Sequence, residues 1–173
     1  MNLTTALALV IGALGAVATW LFLGPLAALG LQIWVAFIAW ASFYHCGGGE
    51  AGLKNSISGG IWGAIMATVA FVLMPLVGMG TLGTALCVGA TVAIMIMGAH
   101  SSMLSAIPAA VYGYAATAAF TLLKSGAAPL STDIATSPLL NVGLSLIIGV
   151  LFGYASERLA TSLAGSGAAI RKA

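Results

Sequence analysis

Apolar residues fill six long runs of this chain, and short segments rich in Gly, Pro and polar residues separate the runs. A helix needs about 20 residues to cross a hydrocarbon layer of about 30 Å, and the runs are about that long. In lipid the backbone must satisfy its own hydrogen bonds, so each run predicts one membrane-spanning helix. The predicted helices cover about residues 3–23, 26–46, 56–76, 82–98, 101–123 and 139–160.

The composition supports this fold class. Of the 173 residues, 61% are hydrophobic and 5% are charged, and the mean hydropathy is +1.15. A water-exposed surface needs about 25% charged residues, which this chain lacks. We therefore predict an all-α, polytopic membrane protein whose residues 1–173 form a single integral membrane domain. The net charge of +2 is small and its carriers are scattered, which argues against binding of nucleic acid.

The third predicted helix carries a ridge of small residues that would let another helix approach closely. A shift of fifty positions lays Leu53 on Met103 and the tripeptide Ile61-Trp62-Gly63 on Val111-Tyr112-Gly113 in the fifth helix. Because these two helices would point the same way, the match predicts a weak parallel internal repeat. The abundance of Gly and Ala in the chain leaves a chance match as the alternative.

The distribution of Lys and Arg predicts the orientation of the chain. With a cytoplasmic N-terminus, Lys54, Arg158, Arg171 and Lys172 lie inside and Lys124 lies outside, in agreement with the positive-inside rule. Both termini are then cytoplasmic, as are the turns near His45 and His100. The only sizeable predicted loop, residues 124–138, lies on the outer side.

Most of the unusual chemistry of the chain lies at these two cytoplasmic turns. Ionisable and polar groups near a membrane span are candidates for function, although each one singly is also typical of a wet interface or a helix cap. Trp62 and Tyr112, aligned by the repeat, would face each other as an aromatic constriction, with ordinary packing as the alternative. The predicted pore-lining or solute-binding residues are His45, Glu50, Asn55, Ser58, Trp62, His100, Ser102, Ser105 and Tyr112.

Catalysis and metal binding find little support in the sequence. It contains no pattern typical of a Ser-His-Asp set, paired carboxylates or an HExxH motif, so we predict no enzyme activity and no cofactor. A metal site built from His45, Cys46, Glu50 and His100 is conceivable, since all four are competent ligands. None of these residues shows the close ligand spacing of known sites, so we predict no metal site.

Several short motifs resemble the YcdZ-like family of small bacterial inner-membrane proteins, whose domain has no known function. The motifs are Trp34-x-x-Phe37 followed by Phe43, Gly52-Leu53-Lys54, Ser58-Gly59-Gly60-Ile61-Trp62 and Gly149-Val150-Leu151-Phe152-Gly153-Tyr154-Ala155. The resemblance implies a bacterial inner-membrane location and a multi-helix fold. It implies no activity and no catalytic residues, and the His-Cys-Gly-Gly-Gly-Glu turn is fuller than the turn of that family.

These observations predict a channel or facilitator for a small polar or weakly acidic solute. A proton-coupled carrier that uses His45 or Glu50 is a variant of this hypothesis. The alternative is a membrane subunit that transports nothing and scaffolds or regulates a partner protein. Because one small bundle with so many Gly and Ala residues has little polar interior, we also predict a homo-oligomer, a trimer or larger.

Overall fold

The computed structural model describes residues 1–170, with side chains described through residue 165. Arg171 and Lys172, which the charge count places inside, lie outside the described residues. The described part is helical and contains no strand, which confirms the all-α fold class. Its helices are α1 (Leu3–Leu23), α2 (Ile33–His45), α3 (Gly49–Val77), α4 (Gly80–Met97), α5 (Ile107–Leu123) and α6 (Pro138–Ile170), with 3₁₀ turns at Ala27–Leu29, Gly98–His100 and Ser102–Leu104.

Four of the six helices are long and apolar enough to cross a membrane. They are α1, α3, α4 and α6, and the candidate span of α4 also includes the 3₁₀ turn that follows it. The other two, α2 and α5, have 13 and 17 residues and are shorter than a span. The prediction of six helices is confirmed, whereas the length criterion for a span is met by four of them.

Both short helices begin later than the apolar pattern predicts. α2 begins at Ile33 and not near residue 26, because Gly30 adopts a left-handed conformation (φ 64°) and Gln32 is extended. α5 begins at Ile107 and not near residue 101, because two 3₁₀ turns precede it and Pro108 occupies its first turn. Proline lacks the backbone N–H that a residue farther inside a helix would donate, so it favours a helix start.

α3 begins earlier than predicted, at Gly49 and not near residue 56. Three consecutive glycines, Gly47, Gly48 and Gly49, have positive φ angles of 92°, 68° and 59° and form a tight turn after α2. The Glu157 carboxylate accepts a hydrogen bond from the Gly49 N–H at 2.7 Å. A carboxylate at a helix N-terminus interacts favourably with the free N–H groups and the helix dipole. As a consequence Lys54 and Asn55 lie on a helix and not in a loop.

The packing brings the two predicted cytoplasmic turns to the same end of the bundle. We call residues 45–49, 98–106 and 157 the histidine end, and residues 24–32, 78–79 and 124–137 the Asp133 end. α2 runs parallel to α6, with Gln32 beside Ser145 and Trp40 beside Ser156. The start of α1 packs on the C-terminal part of α6, where Ala6 meets Ala160, and thus lies at the histidine end.

α3 and α5 are also parallel, and α4 connects them in the sequence. A Cβ on Gly59 would lie 2.9 Å from Ala109 near the start of α5. Farther along the two helices, Phe71 of α3 and Ala118 of α5 line one pocket. α4 runs the other way, because the Trp62 indole donates to the Met95 carbonyl near the end of α4. This arrangement agrees with the predicted grouping of Lys54 and Arg158 at one end and Lys124 at the other.

The fold contains two three-helix units, α1–α2–α3 and α4–α5–α6, which run through the bundle in opposite orientations. Each unit consists of a long helix, a connection with 3₁₀ turns, a short helix and a second long helix. The first unit begins at the histidine end and the second at the Asp133 end, so the repeat is inverted. The parallel repeat predicted from the fifty-residue shift is therefore not the internal symmetry of this fold, because α3 and α5 differ in length and belong to different positions of the two units.

Residue-level matches support the inverted repeat. A shift of 74 positions lays the short helix α2 on α5, and one of 86 positions lays α3 on α6, where Asn55 meets Asn141 and Gly63 meets Gly149. The same positions are buried in the two short helices. In α2 they are Val35, Ala36, Ala39, Trp40, Ser42 and Phe43, and in α5 they are Ala109, Ala110, Gly113, Tyr114, Ala116 and Thr117, followed by Phe120.

Each long helix contacts its parallel short helix through a matched glycine. Gly63 of α3 lies against the Ala110 carbonyl of α5, and Gly149 of α6 lies against the Ala36 carbonyl of α2. Where the two halves meet, Val35 and Phe43 pack with Phe120 and Leu146 in one core cluster. The bundle is therefore held by backbone-to-backbone approaches that only residues without a large side chain allow.

Candidate solute entrance

An open groove of about 510 Å³ lies at the histidine end, between the first turns of α3 and the 3₁₀ turn Ser102–Leu104. The Ser58 hydroxyl fixes one wall, because it donates to the Met103 carbonyl at 2.5 Å. Asn55 lies one turn earlier on the same helix and is half-buried. The lining residues are Leu53, Lys54, Asn55, Ile57, Ser58, Ser102 and Met103.

The chemistry of this groove suits a small polar molecule. The Asn55 amide offers both donors and an acceptor, and the Ser102 hydroxyl offers one of each. Leu53 and Ile57 supply apolar walls, so a solute in the groove would exchange part of its hydration for a few placed hydrogen bonds. The Lys54 ammonium adds a positive charge to the lining, which attracts weak acids in their ionised form.

The structure brings three of the predicted site residues, Asn55, Ser58 and Ser102, together in the groove. Ser105 lies beside them in sequence and is exposed, and its hydroxyl donates to the Ser102 carbonyl at 3.0 Å. His100 is exposed at the same end but does not line the groove. The groove therefore contains three of the nine predicted residues, and their role in solute binding stays a prediction.

His45 and Tyr112 form a separate pair. The His45 Nδ1 atom and the Tyr112 hydroxyl are 2.9 Å apart, and the rings are tilted by 52° with centroids 5.9 Å apart. His45 is exposed and Tyr112 is half-buried. Since His45 closes α2 and Tyr112 lies on α5, this contact connects the short helices of the two repeats.

The predicted aromatic constriction is wrong. Trp62 does not face Tyr112, because its indole N–H donates to the Met95 carbonyl of α4 at 3.0 Å. Tyr112 is engaged with His45. The parallel alignment had placed the two rings at equivalent positions, but equivalent positions on two parallel helices do not have to point at each other.

Glu50 is exposed at the start of α3, away from the groove lining. Its carboxylate lies 4.0 Å from the Arg158 guanidinium, and both side chains are well exposed. Such a pair contributes little, typically about 0–1 kcal/mol. The shift of fifty positions would also align Glu50 with His100, but the described contacts contain no interaction between these two residues.

The described residues contain no group of three or more His, Cys, Asp and Glu side chains that could hold a metal ion. The conceivable set of His45, Cys46, Glu50 and His100 is therefore not assembled as a ligand cluster in the part of the chain that the structure describes. Cys46 and Cys87 are both free thiols.

A second polar cluster, at the Asp133 end, is absent from the sequence-based predictions. The Asn141 amide donates to the Gly30 and Ile134 carbonyls, both at 3.0 Å. One turn farther along α6, the Ser145 hydroxyl accepts from the backbone N–H of Gln32 at 3.0 Å. Ser137, Asn141 and Ser145 are all buried. Their spacing of four residues on an otherwise apolar helix is the signal that could have revealed them.

Glu157 is the other functional candidate that sequence reasoning passed over. It is half-buried and closes the glycine turn between α2 and α3 from the side of α6. The glycine turn therefore binds a carboxylate of its own chain.

Comparison with known proteins identifies the family but no activity. No curated protein and no solved structure matches the chain. A family described as "Protein of unknown function (DUF1097)" matches residues 8–161, which include nearly all of both repeats. The predicted likeness to the YcdZ-like proteins agrees with this result as far as a domain of unknown function, and that particular name stays a prediction. The chain belongs to the DUF1097 family of proteins of unknown function.

Proposed function

We propose that this protein is a channel or facilitator that passes a small polar solute across the bacterial inner membrane. The histidine end and both termini would face the cytoplasm, and the groove beside Asn55 would be the cytoplasmic entrance. The observation that carries the proposal is the inverted repeat, in which a segment with 3₁₀ turns at one end of the bundle leads into each short helix. Inverted repeats recur in membrane transporters, where the solute site lies at the interface between the repeats.

The arrangement of charge supports a neutral or weakly acidic solute. The groove contains one charged side chain, Lys54, and its other polar groups are an amide and two hydroxyls. A cation would meet the Lys54 charge without a carboxylate in the lining. A weak acid or a neutral amide would find donors and acceptors together.

The direct test is stopped-flow light scattering on proteoliposomes that contain the purified protein. We would screen urea, short amides, glycerol, ammonia, formate and acetate against protein-free vesicles. We expect a solute-selective acceleration that Asn55→Leu and Ser102→Leu reduce about tenfold or more, since each removes hydrogen-bonding groups from the entrance. Ser125→Leu, an exposed position at the Asp133 end, is the matched control and should leave flux unchanged.

Equal permeability of protein-containing and protein-free vesicles for every solute would contradict transport. It would favour the alternative, a scaffold or regulatory subunit. The open faces of α1 and α4 favour that alternative, because Gly12 and Gly89 have no atom of the chain within 4 Å of an added Cβ. Copurification of a foreign membrane protein in fixed stoichiometry would then support it.

A further inference from the structure

The inverted repeat assigns a counterpart to the groove at the histidine end. Asn55 in α3 corresponds to Asn141 in α6 by the same shift that pairs Gly63 with Gly149. Each asparagine lies beside the segment that precedes a short helix. Asn55 shares the groove with Met103, which comes shortly before α5, and Asn141 bonds Gly30, which comes shortly before α2.

The two counterparts differ in one respect: one is open and the other is closed. Asn55 borders an open groove, whereas Asn141 is 0% exposed. The segment that precedes α6 covers Asn141, since the Ile134 carbonyl accepts from its amide. Ala135 of the same segment lies against Gly30, with the Ala135 Cβ 3.6 Å from a Cβ built on Gly30.

Closure leaves one polar atom without a partner. The Asn141 Oδ1 atom is buried and accepts no hydrogen bond from the described residues. Native proteins pair nearly all buried polar atoms, because a buried acceptor without a donor costs free energy. The amide nitrogen already bonds two carbonyls, so an amide flip would lose both bonds. The Asn141 Oδ1 atom therefore lacks a hydrogen-bond donor.

We propose that Asn141, Ser145 and the Gly30-Leu31-Gln32 segment form a second solute site, closed in this structure, which opens toward the Asp133 end. Its ligand is a small uncharged molecule with an N–H or O–H donor for Asn141 Oδ1, such as an amide. The inference rests on the proposed function, because a path needs a mouth at each end. The groove and the closed site are then the inward-facing and outward-facing forms of one arrangement. The protein alternates between these forms as the two repeats exchange conformations.

The opening can be tested without knowing the solute, through the reactivity of an introduced thiol. In a chain that also carries Cys46→Ser and Cys87→Ser, the Ser145→Cys variant would be treated with a membrane-impermeant maleimide added at the Asp133 end. Thr117→Cys is the matched control, because Thr117 is also 0% exposed and lies about as far along α5 from the Asp133 end as Ser145 lies along α6. We expect Ser145→Cys to react about tenfold faster or more, since only its site opens.

A disulfide provides the second arm of the experiment. Gly30→Cys with Ala135→Cys would place the two Cβ atoms about 3.6 Å apart, which is within the range for a disulfide. Oxidation of this pair in the Ser145→Cys chain should abolish maleimide labelling at position 145, measured by mass spectrometry of the peptide that contains it, and reduction should restore it. Gly30→Cys alone should have no redox effect.

The outcomes separate this inference from the proposed function. Equal labelling of Ser145→Cys and Thr117→Cys overturns the second site, even if the protein transports a solute. Labelling that the disulfide controls, in vesicles that show no flux, supports the opening and contradicts transport. If Ser145→Cys does not fold, Ser137→Cys serves in its place, since Ser137 is also buried at the start of α6.

Discussion

At the scale of single residues, position and not residue type decides the role of the few charged groups. Glu50 and Glu157 both lie near the start of α3, yet only Glu157 accepts a backbone N–H of that helix. Glu50 lies 4.0 Å from an exposed arginine. A half-buried carboxylate that binds free helix N–H groups stabilises far more than a solvent-screened pair.

We predict that Glu157→Gln lowers the free energy of unfolding by about 1–2 kcal/mol, because it removes a charge-assisted hydrogen bond at a helix N-terminus. Thermal or denaturant unfolding of the detergent-solubilised protein measures the change. Glu50→Gln is the control and should shift the free energy of unfolding by less than about 0.5 kcal/mol. Equal effects of the two substitutions would show that the glycine turn does not depend on Glu157.

At the scale of helices, the glycines divide into those in contact and those that are open. Gly63 and Gly149 each lie against a backbone carbonyl of a short helix, whereas Gly12 and Gly89 meet nothing within 4 Å. A stretch of sequence shows the same small residue in both cases. Only the position of the neighbouring helix separates the two classes.

Gly63→Ala should therefore destabilise the protein by about 2–3 kcal/mol, because the added methyl group would force α3 and α5 apart. Gly149→Ala should have a similar effect on α6 and α2, as expected for equivalent positions of an inverted repeat. Gly89→Ala is the matched control and should stabilise by up to about 1 kcal/mol through helix propensity. Unfolding measurements would contradict the repeat if Gly149→Ala were neutral while Gly63→Ala was not.

At the scale of the whole molecule, the least-buried membrane helices are α1 and α4, which occupy equivalent positions in the two repeats. Both present the same exposed series of Thr, Ala, Gly and Ala at four-residue intervals. The series is Thr4, Ala8, Gly12 and Ala16 in α1, and Thr81, Ala85, Gly89 and Ala93 in α4. The predicted homo-oligomer stays a prediction, and these two faces are the places to test it.

If copies associate through these faces, Gly89→Leu should reduce the oligomer to smaller species, since a large side chain prevents close approach of two helices. Multi-angle light scattering in detergent measures the mass. Ala90→Leu, exposed on the adjoining face of α4, should leave the mass unchanged. A native-sized oligomer in Gly89→Leu would direct the search to another surface.

The sequence by itself determined the features that depend on local composition. It established helices in a membrane, since 61% hydrophobic residues with 5% charge cannot form a soluble surface. It grouped the turns near His45 and His100 at one end, because counting spans fixes which turns share a side. It also selected Asn55, Ser58 and Ser102, which prove to lie together in one groove.

The tertiary structure alone decided where the short helices begin, how the repeats are oriented and which polar residues are buried. α2 begins at Ile33 because the Gln32 N–H donates a hydrogen bond to the Ser145 hydroxyl, and Ser145 lies more than a hundred positions away in the chain. Glu157 and Asn141 acquire their roles in the same way, through backbone groups of distant segments. Apolar periodicity indicates which residues avoid water, but nearly every residue of a membrane-spanning helix avoids water. The pattern therefore carries no information on which neighbour each helix meets.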